Sequence, residues 1–300
     1  MRAKDILYFT AVGIRTIVTR RSKPILGTII LTDDCNLSCL HCAVHHRKNV
    51  HYPYLDIVGE MERFYAEGIR ILFFCGGETM LWQDGDRTVG DLVRVAKRMG
   101  FLLVNIVTNG TLGLSVPEAD VIFLSLDGMR EGHNRIRGNT FDRIMEQAAR
   151  APGGNICVYM AINRLNRGEV EELARFVRDH PALNSISFNF HTPYAGTEEL
   201  ALSREETVET VGVIKRLIRE GYPVFNLYSA LDHFIAGSWS RPCGMCIVSE
   251  NNRRYVCGRC IEEEGLCERC GYLFAVEFSL LFRGNLPVII DVVRTYLKYA

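Results

Sequence analysis

Three cysteines lie within eight residues in the stretch Asp34-Cys35-Asn36-Leu37-Ser38-Cys39-Leu40-His41-Cys42. Thiolates so spaced can wrap round one metal centre, and their softness suits zinc or an iron–sulfur cluster. A structural 4Fe–4S cluster takes four cysteines, so three leave one iron open to a cofactor or substrate. Cys39 and Cys42 taken alone also read as half of a zinc knuckle. A second set, Cys243, Cys246, Cys257, Cys260, Cys267 and Cys270, forms three C-x2-C pairs with ten and then six residues between them. Spacing does not choose between zinc and iron–sulfur there. Cys75 and Cys157 sit inside apolar runs and read as small buried hydrophobes.

The first cysteine set must be positioned by the elements around it. From Pro24 to about Ser229, short β-branched apolar runs alternate with longer amphipathic segments, the rhythm of βα units and a parallel sheet. The strands are expected at Ile25–Leu31, Ile71–Phe74, Leu102–Val107, Val121–Leu126, Ile156–Ile162 and Ile186–Phe190, with an extra one near Val224–Leu227. Helices are expected at Leu55–Glu67, Val89–Met99, Phe141–Ala151, Glu169–His180 and Arg204–Glu220. Gly68, Gly100 and Gly221 fall where left-handed residues end helices, and Ser203 with Glu206 makes a capping box. About six units are too few for a closed eight-stranded barrel, so a partial barrel is expected, with a doubly wound sheet as the alternative.

In either fold, ligands bind beyond the carboxyl ends of the strands. The cysteine triad follows the first strand there. Gly76-Gly77-Glu78-Thr79 follows the second, Thr108-Asn109 the third, Ser125 and Asp127 the fourth, and Asn163 the fifth. Each also reads as an ordinary strand-ending turn. His191, after the sixth, reads as a substrate contact, a proton donor or a plain hydrogen-bonded histidine.

Three regions are expected: an amphipathic helix over 1–23, the barrel over 24–237, and a cysteine-rich module with two closing helices over 238–300. Residues 241–271 have neither strand nor helix period, which reads as a metal-organised segment. The apolar ends carry flanking basic residues, Arg15, Arg20, Arg21, Lys23, Arg294 and Lys298, so they pack on the barrel or rest on a membrane surface. Lysine plus arginine equal aspartate plus glutamate at 35 each, so no overall field draws the chain to nucleic acid. Eleven cysteines in a 300-residue chain with ample core material suit metal binding better than a secreted disulfide framework.

Cys35, Cys39 and Cys42 reproduce the C-x3-C-x2-C signature of the radical S-adenosylmethionine (SAM) superfamily, and the region from Pro24 to Ser229 resembles its partial (β/α)6 TIM-like barrel. The resemblance implies a 4Fe–4S cluster on those cysteines that chelates SAM and cleaves it to methionine and a 5′-deoxyadenosyl radical. Gly76-Gly77-Glu78-Thr79 resembles the family's Gly-Gly-Glu-Pro motif, which holds the methionyl ammonium; Thr79 replaces the proline. The resemblance likewise puts His41 near adenine, Ser125 and Asp127 near the ribose, and Thr108, Asn109 and Asn163 among the cofactor contacts.

The later cysteines resemble the auxiliary-cluster extensions called SPASM and twitch, with a departing spacing. That implies an auxiliary 4Fe–4S cluster, with zinc as the alternative. A reducing cytoplasm and flavodoxin or ferredoxin as reductant follow from the same likeness. The substrate stays open between a small molecule, a polyprenyl-type lipid at the membrane, and a ribosomal peptide. A reading of another class is a non-catalytic iron–sulfur carrier or zinc module.

Overall fold

The computed structural model describes residues 3–19, 23–42, 50–151, 154–242, 244–258 and 262–299. Six parallel strands form the body of one sheet: β1 Leu26–Ile30, β2 Ile71–Cys75, β3 Leu103–Thr108, β4 Val121–Ser125, β5 Ile156–Ile162 and β6 Ser185–Phe190. They pair in sequence order, with Leu26 opposite Ile71, Asn105 opposite Val121 and Cys157 opposite Ser185. Helices α1 Ala3–Thr19, α2 Tyr54–Glu67, α3 Val89–Met99, α4 Arg130–Arg137, α5 Phe141–Arg150, α6 Val170–Asp179 and α7 Arg204–Arg219 come next in chain order. They are followed by α8 Tyr228–Ala236, α9 Leu273–Phe282 and α10 Leu286–Tyr299.

The six expected strands and five expected helices lie within about two residues of these positions. The elements form where sequence and burial agree. In β2 the outward Leu72 and Phe74 are fully buried, and they meet Phe64 of α2 and Leu92 of α3 in one apolar layer. Burial of each such side chain contributes on the order of 2 kcal/mol. Ser203 and Glu206 do close the capping box of α7, accepting from each other's backbone N–H.

Three expectations change. Val224–Leu227 is not a strand: Val224 makes a single bridge to Ile186, and Asn226 instead clamps the backbone of Phe188 through both its amide atoms. The segment α4 was not expected, because Arg130–Arg137 carries only Ile136 as an apolar side chain. The third change is in the cysteine-rich segment, which contains two strands, β7 Cys246–Glu250 and β8 Arg253–Val256. Strand β7 pairs parallel to β1, and β8 pairs antiparallel to β7, so the module extends the barrel sheet to eight strands.

The terminal helices pack inward on each other. Phe9 and Val12 of α1 meet Phe278 and Phe282 of α9, beside Ile25 and Leu26. Among the described residues no single helix is long and apolar enough to cross a membrane; α9 and α10 would suffice only together, and they are bent by 116°.

Inside the curved sheet is a cavity of about 2280 Å3, lined by the inward side chains of the strands and closed by α1, α9 and α10. Ordinary small-ligand pockets rarely exceed about 1000 Å3. The space is larger than a single small ligand requires.

Candidate active site

The triad loop is held by backbone before any side chain acts. Gly77 N donates to Thr32 O at 2.8 Å, and Glu78 N donates to Asp34 O at 2.7 Å. The two chains approach so closely that a Cβ on Gly77 would stand 2.0 Å from Asp34 O. Glycine is required at that position because no side chain fits.

The Glu78 carboxylate is 1% exposed and accepts from Thr108 Oγ1 at 2.6 Å, Asn109 N at 2.7 Å and Met80 N at 2.9 Å. Burial pushes its pKa up, against those three donors. Asn109 Nδ2 in turn reaches Asn36 Oδ1 at 2.9 Å and lies 3.9 Å from Cys35 Sγ. Gly76, Gly77, Glu78, Thr108 and Asn109 are thus brought together round the triad, as the sequence implied.

On the other side of the loop, α4 supplies a group the sequence reading missed. Arg137 Nε donates to Asp127 Oδ2 at 2.5 Å, while its Nη1 is 3.7 Å from Cys39 Sγ and its Nη2 3.4 Å from His41 Nε2. Leu40 N donates to Ile136 O, which ties the loop to the same helix. Asp127 is fully buried, and its second oxygen accepts from Ala161 N at 2.8 Å. Burial opposes its charge, but Arg137 and His41 outweigh it and hold the carboxyl below its ordinary range.

Within the chain, Asp127 Oδ2 therefore meets Arg137 and lies 3.3 Å from His41 Nε2, while Oδ1 meets the β5 backbone. Ser125 stands at the end of β4, 8% exposed. Asn163 is fully buried and spends its amide on its own turn, donating to Ala161 O and accepting from Leu165 N.

The thiols themselves are costly to ionise in this setting. Burial pushes Cys35 up to about 11, with the charge of Glu78 adding to it. Cys39 is raised by burial too, although Arg137 works against the rise. His41 is pushed down to about 4 by burial, so it is neutral near pH 7. His191 meets it edge-on at 6.2 Å and hydrogen-bonds Thr197, in line with the plain hydrogen-bonded reading.

Among the described residues, no three His, Cys, Asp or Glu side chains converge on a point suited to a single metal ion. A cluster with several irons needs its sulfurs further apart than one zinc does. Buried polar atoms without a hydrogen-bond partner surround the loop: Asp33 Oδ2, His41 Nδ1 and Thr79 Oγ1. Such atoms are rare in folded proteins and mark a place for a polar ligand. Soft sulfurs with N–H groups beside them, a glycine cradle and unsatisfied polar atoms suit an iron–sulfur cluster with a polar cofactor.

In the extension, Cys243 and Cys260 lie outside the described residues. Cys246 opens β7, and Cys257 follows β8 at φ 67, its N–H donating to Cys246 O. Cys267 and Cys270 share a tight turn in which Cys270 N donates to Cys267 O. Cys75 faces the cavity, and burial together with the nearby Cys246 pushes its thiol up to about 12.

The family model of the radical SAM superfamily matches residues 29–177, about half of the chain. The chain belongs to the radical SAM superfamily. Members of this superfamily are enzymes that use a 4Fe–4S cluster and SAM. The sporulation killing factor maturation protein SkfB of Bacillus subtilis is 30% identical over 168 residues, covering 50% of this chain and 38% of that protein. The Fe-coproporphyrin III synthase of Methanosarcina barkeri is 26% identical over 218 residues, covering 64% of this chain and 52% of that protein. The radical SAM chain therefore spans about two-fifths to half the length of these curated relatives.

Among solved structures, Streptococcus suis SuiB bound to the precursor peptide SuiA aligns with a TM-score of 0.61 at 13% identity, over 84% of this chain and 64% of SuiB. The anSMEcpe structure with bound AdoMet and a peptide aligns with a TM-score of 0.61 at 15% identity, over 91% of this chain and 84% of that one. At those identities the likeness establishes the barrel fold alone.

Proposed function

We propose that this chain is a radical SAM enzyme that modifies a peptide held in its barrel cavity. The observation that carries the chemistry is the interlock of the triad loop with Gly77, Glu78 and Asn109 at a single barrel mouth. Cys35, Cys39 and Cys42 would hold the cluster, and the group supplies reductive cleavage of SAM to a 5′-deoxyadenosyl radical when bound. Glu78 holds the strand ends together and offers negative charge near the methionyl ammonium. Arg137 draws charge toward Cys39, and Asp127 fixes the direction of Arg137. Neutral His41 presents a flat ring for stacking. Ser125, Thr79 and Asn163 are the remaining residues that this reading assigns to the cofactor. An auxiliary cluster or zinc on the later cysteines, a flavodoxin-type reductant and a cytoplasmic site belong to the same reading.

A peptide is favoured as substrate by SkfB, a maturation protein, and by SuiB and anSMEcpe, both solved with peptides, against the second curated relative, a coproporphyrin synthase. The test is anaerobic reconstitution with iron and sulfide, then dithionite and SAM. Formation of 5′-deoxyadenosine is expected; its absence from fully iron-loaded protein overturns the enzyme in favour of a carrier. Iron retained at about four per chain in the Cys35, Cys39, Cys42 triple alanine variant supports an auxiliary 4Fe–4S cluster. Loss of all iron with zinc remaining overturns it.

A lipid substrate is the second reading, favoured by one observation. Ile14 and Val18 of α1 and Leu286, Ile290 and Val293 of α10 are exposed, at 57%, 74%, 65%, 41% and 52%, and Ile14 and Val293 also line the cavity. Flotation with anionic vesicles tests it, and failure to bind any vesicle removes it.

A further inference from the structure

Helix α9 is apolar except for Glu277 and Ser279. Glu277 is the sole ionisable side chain between Leu273 and Phe282, and it faces the cavity in company with Phe274 and Phe278. One carboxylate oxygen, Oε1, accepts from Leu227 N at 2.9 Å and from Asn226 Nδ2 at 3.3 Å. Among the described residues no lysine, arginine or histidine pairs with it. The basic side chains that line the cavity are spent elsewhere, Lys97 on Asp120 and Arg253 on Glu262. A carboxylate on an apolar wall that is held only by two neutral donors, with no cation, is costly.

A second unpaired group lies next to it. Asn189, on the inward face of β6, is 2% exposed and lines the same cavity. Its Oδ1 accepts from Leu273 N at 2.8 Å, which fixes the amide orientation and leaves Nδ2 buried with no hydrogen-bond partner. Leu273 is one helical turn before Glu277, so the unpartnered amide and the carboxylate that has no cation stand about one turn apart. The remaining wall beside them is aromatic.

We infer that Asn189 and Glu277 form a substrate subsite that recognises a basic residue of a peptide. A backbone carbonyl of that peptide accepts from Asn189 Nδ2, the ammonium or guanidinium pairs with Glu277, and the aliphatic stem lies against Phe274 and Phe278. The unpartnered amide and the carboxylate without a cation are then matched by one ligand. A hydrocarbon lipid would satisfy neither. This subsite rests on the peptide-modifying reading and names the residue type that reading leaves open.

The probes are two fluorescein-labelled pentapeptides, Leu-Phe-Lys-Phe-Leu and the same sequence with norleucine in place of lysine. Binding to the full reconstituted chain is followed by anisotropy with SAM present. The lysine peptide is expected to bind about tenfold more tightly. Glu277→Gln should bring the two affinities together, Glu277→Lys should reverse the preference toward a glutamate-containing peptide, and Asn189→Leu should weaken both original peptides alike. Equal binding of the lysine and norleucine peptides by the wild-type chain overturns the subsite, as does a preference that survives Glu277→Gln. Binding of anionic vesicles without discrimination between the peptides also overturns it. These outcomes are independent of 5′-deoxyadenosine formation by the wild-type protein: its absence sinks the enzyme reading, whereas its presence with indifferent peptide binding sinks the subsite alone.

Discussion

The molecule holds its two cysteine sets by different means. The triad loop is locked by the protein itself, through the backbone contact of Gly77 on Asp34, the Glu78 bonds and the Arg137–Asp127 pair. Among the described residues, the later cysteines are held through the elements that flank them. Their hairpin is joined to the sheet through β7 and pinned to α2 by Arg254, which reaches Glu60 and Glu67 at 2.6 Å. The turn that carries Cys267 and Cys270 is tied to the barrel by Gly271, whose carbonyl accepts from Phe190 N and whose N–H donates to Thr192. A site whose ligands are pre-positioned can hold a labile, open-sided cluster. Ligands left to the metal suit a closed site that gains its shape on binding.

The comparison breaks most sharply at Gly77. Gly77→Ala pushes a methyl into Asp34 O, so the triad moves, and production of 5′-deoxyadenosine should fall by about 100-fold or more. Arg137→Met leaves Asp127 as an uncompensated buried charge. The unfolding free energy read from chemical denaturation should drop by roughly 3–5 kcal/mol, and Asp127→Asn in the same chain should restore much of it. If neither change disturbs the iron content of the triad, the loop is not pre-positioned by these contacts.

The opposite half of the comparison is tested by metal removal. Chelation after a Cys267→Ala, Cys270→Ala exchange should lower thermal stability less than in the wild-type chain, since part of the metal-linked folding energy is already gone. Calorimetry with and without chelator measures the gap.

Glu277 offers a pH-resolved test in the same region. Burial raises its carboxyl from 4.5 to about 7, so the folded chain favours the neutral acid. A group raised in this way binds more protons folded than unfolded between those values, and stability is lost as pH climbs through that window. Glu277→Gln should therefore gain little at pH 4 and up to roughly 3 kcal/mol at pH 8, read from urea midpoints. The smallest effect is a control remote from both cysteine sets: Ser203→Ala removes the α7 cap for about 1 kcal/mol.

Much of this was legible in the sequence because its signals are local. The triad is a spacing, the βα rhythm is a periodicity, and the capping box is four adjacent residues. Arg137 was not legible. Its helix has no apolar stripe, and its role exists only because the chain folds it back onto Asp127 ten residues earlier. Asn189 and Glu277 are joined by tertiary packing across 88 positions, which no window can read. The β7–β8 hairpin did leave a signal: Asn251 and Asn252, at φ 47 and 60, are the residues a tight primed turn requires. Between Cys-Ile-Val-Ser-Glu and Arg-Arg-Tyr-Val they announce a hairpin that the cysteine pattern obscured.

That hairpin also governs what the sheet can do at its margin. A partial barrel has two open edges, and an unpaired parallel strand invites another chain to add to it. Strand β7 covers β1, and the strand that now faces outward is only four residues long and carries Arg253 and Arg254. Short length and adjacent charge discourage a further strand from docking. Besides the metal binding proposed for it, the cysteine-rich segment thus shields a sheet edge, and trimming it would bare the first barrel strand as a template for aggregation.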